Sequence, residues 1–157
     1  SAGYAQWMSA HLGMDGSQAW LTSMMVRLGE LMIAQAQPAS VQEIEKMPHL
    51  PGGRWEREAR LTGFSEGQIT AELARRWNFP KEIVHALDTC TNPMDARPFD
   101  RLGAIVHLAV MLADMPAGGP EMLDDLPPDV VQILLLRPEW MKANFPLPDS
   151  FADISTV

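Results

Sequence analysis

Residues 63–80 read Gly63-Phe64-Ser65-Glu66-Gly67-Gln68-Ile69-Thr70-Ala71-Glu72-Leu73-Ala74-Arg75-Arg76-Trp77-Asn78-Phe79-Pro80, followed by Lys81-Glu82-Ile83-Val84-His85-Ala86-Leu87. Gly63 opens a turn. Ser65 with Gln68 three residues later is a capping box, which predicts a helix that runs to Trp77. Ile69, Leu73 and Trp77 recur every fourth residue and predict one inward face. Pro80 suits the first turn of a following helix, where its missing N–H is an orphan in any case. Ile83, Val84 and Leu87 predict that helix's inward side.

The pattern continues outward in both directions. Upstream, residues 2–12 predict a helix stopped by Gly13. Asp15 with Gln18 starts a second helix, residues 17–35, whose apolar stripe is Trp20, Leu21, Met24, Met25, Leu28, Leu31 and Met32. Pro38 closes that connection, and Ser40-Val41-Gln42-Glu43 is a second capping box opening a short helix. The two prolines and two glycines in 47–54 predict a loop, and 55–61 a helix. Downstream, 92–98 is a turn-rich link. Residues 99–113 form the clearest amphipathic helix, with Leu102, Ile105, Val106, Ala109 and Leu112 inward. After a loop at 116–120, two short helices are expected at 128–136 and 138–144, and residues 146–157 as a docked turn or frayed tail. Period-2 alternation is absent, so the expected class is all-α.

Composition narrows the function. The 157 residues suit one domain. Twelve Lys and Arg against twenty Asp and Glu give a formal charge of −8, which argues against a nucleic-acid binder, because phosphate contacts need a clustered basic surface. Cys90 stands alone, so no internal disulfide is expected and a reducing cytoplasm is the natural setting. The best apolar run, 102–113, is too short to span a bilayer, and no basic region precedes an apolar run at the start. The chain opens at Ser1 and its first methionine is Met8, which suggests a piece excised from a longer protein.

The stretch 63–87 resembles the HDOD family (HD-related output domain), a branch of the HD-type metal phosphohydrolase fold. The resemblance extends over about residues 2–113 and is strongest over 58–113. It implies an HD-domain-like helical bundle of about six to nine helices, with 1–113 as the family-like core and 114–157 as a C-terminal helical extension of one domain. It also implies bacterial origin and a further helical region N-terminal to this piece. In the enzymes of that fold, imidazole and carboxylate ligands from several helices hold divalent ions that activate water against a phosphate ester. The resemblance assigns the adjacent His-Asp pair to Val26 and Arg27, ahead of Gly29. It assigns the next histidine to Glu66, and a His-His pair to Cys90 and Thr91. Valine cannot ligate and arginine repels a cation. No His-Asp dipeptide occurs anywhere in the chain. No metal and no other cofactor is therefore expected.

Other groups have plain structural readings. None of His11, His49, His85 and His107 has a second histidine at i+3 or i+4 to form a helical metal pair, so structural or solvent roles are expected. Cys90 has no basic neighbour in sequence and reads as a small buried hydrophobe rather than a reactive thiol. Arg57, Arg60, Arg75 and Arg76, joined by Arg27, could converge on an anion. The opposing expectation is that they pair with Glu56, Glu58, Glu66 and Glu72 on solvated faces. Met24, Met25, Met32 and Met111 are expected in packing, whereas Trp140, Met141 and Phe145 are the expected exposed apolar group. Asp124 and Asp125 fit a helix N-terminus.

Three functions follow in order. The first is a cytoplasmic, non-catalytic signalling or output module that binds a protein or another domain of its own chain. The second is a nucleotide or anion receptor in which Arg27, with Arg60, Arg75 and Arg76, replaces the metal. The third is an active metal phosphohydrolase. Neither nucleic acid nor a membrane is an expected partner.

Overall fold

In the computed structural model, residues 1–46, 53–116 and 118–151 are described. Among them the chain forms nine α-helices and three short 3-10 turns. The helices are α1 (Ala2–His11), α2 (Gly16–Ala36), α3 (Pro38–Glu45), α4 (Gly53–Thr62), α5 (Glu66–Arg76), α6 (Lys81–Thr89), α7 (Arg101–Asp114), α8 (Pro128–Ile133) and α9 (Pro138–Ala143). The all-α bundle expected from the sequence is present.

Local chemistry sets most boundaries. Gly13, at φ +68°, supplies the left-handed turn after α1. Asp15 caps α2 by accepting from the N–H groups of Ser17 and Gln18. The Ser65–Gln68 capping box opens α5 with both reciprocal bonds made. Asp100 caps α7 through the Leu102 N–H. Two expectations need correction. Pro38 opens α3 rather than closing the connection before it, and Ser40 lies inside that helix, its hydroxyl bonded to the Gln37 side chain. Gly53 and Arg54, expected in a loop, begin α4. The remainder of that loop at 47–52, His49 and residues 152–157 lie outside the described residues.

The middle of the bundle is α7. Residues 102–112 are all buried, and the helix packs against α1, α2 and α6. Its stripe is so wide because neighbours cover it on several sides, as a helix at the centre of a bundle requires. Each buried Leu or Ile contributes about 1.5–3 kcal/mol.

The helix faces in contact with α5 differ from expectation. Trp77 is 57% exposed, and Ile69 and Leu73 are only half-buried. The buried face of α5 is instead Glu66, Gly67, Thr70, Ala71 and Ala74. Likewise α2 buries Ala19, Thr22, Ser23, Met25, Val26, Gly29 and Ile33, leaving Trp20, Leu21, Met24, Leu31 and Met32 exposed. Small residues win because the helices cross closely. A Cβ on Gly29 would lie 2.0 Å from the Glu66 carbonyl oxygen, and one on Gly67 would lie 2.6 Å from the Leu87 carbonyl oxygen. The α2–α5 crossing is further tied by the Gly29 N–H, which donates to Thr70 Oγ1 at 2.8 Å.

The C-terminal region also departs from expectation. Met141 is fully buried, while Trp140 and Phe145 fold back on α1 rather than standing exposed. Trp140 stacks on Trp7 and on His11, with centroid separations of 5.6 and 3.6 Å. Asp124 and Asp125 end a 3-10 turn (Pro120–Asp125) ahead of α8.

Candidate functional site

The close α2–α5 crossing brings Arg27 to Glu66. Arg27 Nη1 lies 3.3 Å from Glu30 Oε2 and 3.5 Å from Glu66 Oε1, and Nη2 pairs with Asp114 at the end of α7. From α4, Arg54 pairs with the other Glu30 oxygen at 2.8 Å and with Glu58 at 3.0 Å. Glu58 Oε2 accepts the Glu66 backbone N–H at 2.9 Å, and Trp55 Nε1 donates to Glu66 Oε1 at 2.9 Å. Two cations and four carboxylates therefore join α2, α4, α5 and α7 in one network.

Burial governs its electrostatics. Glu66 is fully buried, and that desolvation, opposed by Arg27 and reinforced by Glu58, pushes its carboxyl up to about 7. Burial also raises Glu58, against the backbone N–H of Glu66 and the charge of Arg54. For Arg27, burial works against the charge, but Glu66, Asp114 and Glu30 outweigh it and hold the guanidinium above its ordinary value. Glu66 Oε2 has no hydrogen-bond partner among the described residues.

The positions that the family resemblance assigns to metal ligands do not suit a divalent ion. Val26 is buried core without a donor atom, and Arg27 brings a positive charge. Glu66 Oε1 is taken by Trp55 and Arg27. The Cys90 thiol is buried, donates to the Leu87 carbonyl and is pushed well up by burial, which disfavours the thiolate a metal needs. Thr91 offers a hydroxyl 3.5 Å from that of Ser65.

The other candidate residues are dispersed. Arg75 and Arg76 both pair with Glu72 on the exposed side of α5, as the charge-pairing expectation had it. Arg60 is exposed on α4 and Arg57 is buried. Among the described residues, none of Arg60, Arg75 and Arg76 shares an ion-pair partner with Arg27. His11 stacks on Trp140 and His85 is exposed. His107 is buried, with Nδ1 2.7 Å from the Cys90 carbonyl and its ring 4.8 Å from that of Trp55. Sequence reasoning missed Glu30, Arg54, Trp55, Glu58 and Asp114 as parts of one network. The spacing of Arg54 and Glu58, four apart on a helix, was the available signal.

The fold and this cluster define an all-α domain of the HD-like kind with an ion-paired centre. The family model for the HDOD domain matches residues 1–93, more than half of the chain, and the chain belongs to that family. A solved structure from Shewanella amazonensis SB2B, named "Putative phosphohydrolase", is similar to it with a TM-score of 0.63 and 24% identity. The similarity covers 86% of this chain and 49% of that one, so the chain spans about half of its length. That likeness is one of fold. No curated protein matches this chain.

Proposed function

We propose that this domain is a non-catalytic signalling or output module, acting by binding a protein partner or another domain of its own chain. The carrying observation is Arg27. A guanidinium held by Glu30, Glu66 and Asp114 sits where the resemblance puts a metal-binding carboxylate, so the charge that a metal would supply is supplied by the protein and already balanced. The exposed apolar residues along α2 (Trp20, Leu21, Met24, Leu31 and Met32) support a role in binding rather than catalysis, since contiguous exposed apolar surface marks interaction sites. Among the described residues no helix is long and apolar enough to cross a membrane.

The anion-receptor reading loses support from the same contacts. Three carboxylates offset the charge of Arg27, and Arg75 and Arg76 are engaged by Glu72. The test is metal analysis of the purified protein together with phosphomonoester and phosphodiester hydrolysis in added Mn²⁺ or Mg²⁺. The expected result is no stoichiometric metal and no turnover above a Glu66→Gln variant. A tightly held ion at one per chain, with turnover, would overturn the proposal.

A further inference from the structure

The apolar stripe Ile69, Leu73 and Trp77, regular in the sequence, is left half-buried or exposed by the fold. Ile69 and Leu73 of α5, with Met32 of α2 and Phe64, line a groove of about 510 Å³. We propose that this face pairs with the same face of a second copy of the chain, two α5 helices lying antiparallel across a two-fold axis near the middle of the helix. Such a pairing goes beyond the binding of another protein and does not rest on it.

Both ends of the stripe carry an exposed aromatic ring. Phe64, before α5, is 59% exposed, and Trp77, after it, is 57% exposed. The backbone fixes Phe64 in place. Gly63 ahead of it lies at φ +83°, and the Phe64 N–H donates to Thr62 Oγ1 at 3.2 Å. An aromatic anchor on a fixed backbone has little freedom left to lose on binding. Laying one α5 antiparallel on another brings the Phe64 end of each copy to the Trp77 end of its partner.

Charge selects a second copy. The charged side chains of the groove are Glu72, Arg75, Arg76 and Asp88, two of each sign, in a chain whose formal charge is −8. The negative excess therefore lies elsewhere, and at this face two copies meet without net repulsion. Both arginines share the single carboxylate of Glu72, on an exposed surface where such pairs are weak. Asp88 is exposed and has no ion pair among the described residues.

The free charges also stand at opposite ends. A Cβ on Gly67 would lie 2.6 Å from the Leu87 carbonyl oxygen and 2.7 Å from Cys90 Sγ, so Asp88 is beside the start of α5. Arg76 closes the helix, about 13 Å further along at 1.5 Å per residue. In the antiparallel pair each Arg76 faces the other copy's Asp88. That reciprocity is what a two-fold contact requires.

Sedimentation velocity of the 157-residue chain, from micromolar to millimolar concentration, tests the pairing. A monomer–dimer equilibrium without larger species is expected, because a two-fold contact closes on itself. Phe64→Ala should weaken it at least about tenfold. Arg76→Glu and Asp88→Arg, each alone, set like charges against each other at both contacts and should give folded monomers, with thermal midpoints near the parent's. An equimolar mixture of these two variants restores opposite charges at both contacts and should recover the dimer, which no change within one chain can do. A chain monomeric throughout the range would overturn the proposal and leave the face to a different protein. So would a dimer indifferent to Phe64→Ala, or a mixture that stays monomeric. None of these results bears on whether another protein docks elsewhere.

Discussion

Arg27 Nη1 lies 3.5 Å from Glu66 Oε1, so α2 and α5 meet through a cation and a carboxylate at two positions where the family resemblance expects metal ligands. The pair is supported from both sides, by Glu30 and Asp114 on Arg27 and by Trp55 on Glu66. Removing the cation takes the shared partner from Glu30, Glu66 and Asp114 at once. Breaking a buried pair from one side costs about 3–5 kcal/mol. Since Arg27 is 29% exposed, Arg27→Ala is expected to lose roughly 2–4 kcal/mol in urea unfolding. The double change Arg27→Met with Glu66→Gln should recover part of that loss. A single variant as stable as the parent would mean that the network contributes nothing to the fold.

Glu66 makes the stability depend on pH with a definite sign. Its carboxyl is raised from an ordinary 4.5 to about 7, so the native state holds the proton more tightly than the unfolded chain does. The contribution of Glu66 to stability is therefore fully present below about 4.5 and is lost as pH rises towards 7. The gap corresponds to roughly 3 kcal/mol. Glu66→Gln keeps an acceptor for Trp55 and removes the titration, so the decline between pH 5 and 7 should flatten. Glu58 and Asp100, also raised by burial, leave a residual slope in both proteins. Equal slopes in parent and variant, from unfolding midpoints across that range, would remove Glu66 as the cause.

Gly29 is required by backbone proximity. A Cβ there would stand 2.0 Å from the Glu66 carbonyl oxygen and 2.7 Å from Thr70 Oγ1. Helix propensity alone favours alanine by up to about 1 kcal/mol, so a destabilised Gly29→Ala isolates the effect of the crossing. The expected loss is about 3 kcal/mol or more, near 10 °C in thermal midpoint for a domain of this size. A rise in the midpoint would show that the helices stand further apart.

The order of helices was legible because their ends are local events. Ser65 with Gln68, Asp15 before Gly16, and Gly13 after α1 each satisfy orphan backbone groups within four residues. Which face a helix buries is not local. Ile69, Leu73 and Trp77 form a regular stripe, yet Gly67, Ala71 and Ala74 are buried, because the closeness of two crossing backbones depends on a partner far away in sequence. The site divides in the same way. Val26, Arg27 and Glu66 could be picked out by resemblance, but the use of Arg27 is defined by Glu30, Glu66 and Asp114, which come from three helices. Reading the arginines as a group missed this, since Arg75 and Arg76 find Glu72 within their own helix and never meet Arg27.

Trp140 joins the C-terminal helices to the first helix. It stacks on Trp7 at 5.6 Å and 19° and on His11 at 3.6 Å and 13°, while Phe145 meets Trp7 edge-on at 5.8 Å. Aromatic pairs of this kind add about 0.5–1.5 kcal/mol beyond the area they bury. Trp140 is half-buried, so truncation should fall below the range for a fully buried tryptophan, at roughly 2–3 kcal/mol. Leu147→Ala, at a side chain 73% exposed, is the matched control and should change stability by less than about 0.5 kcal/mol. Thermal unfolding of the two variants separates the possibilities, because docking of α9 on α1 makes their midpoints differ by several degrees. Equal midpoints would mean that α9 lies on the first helix without stabilising it.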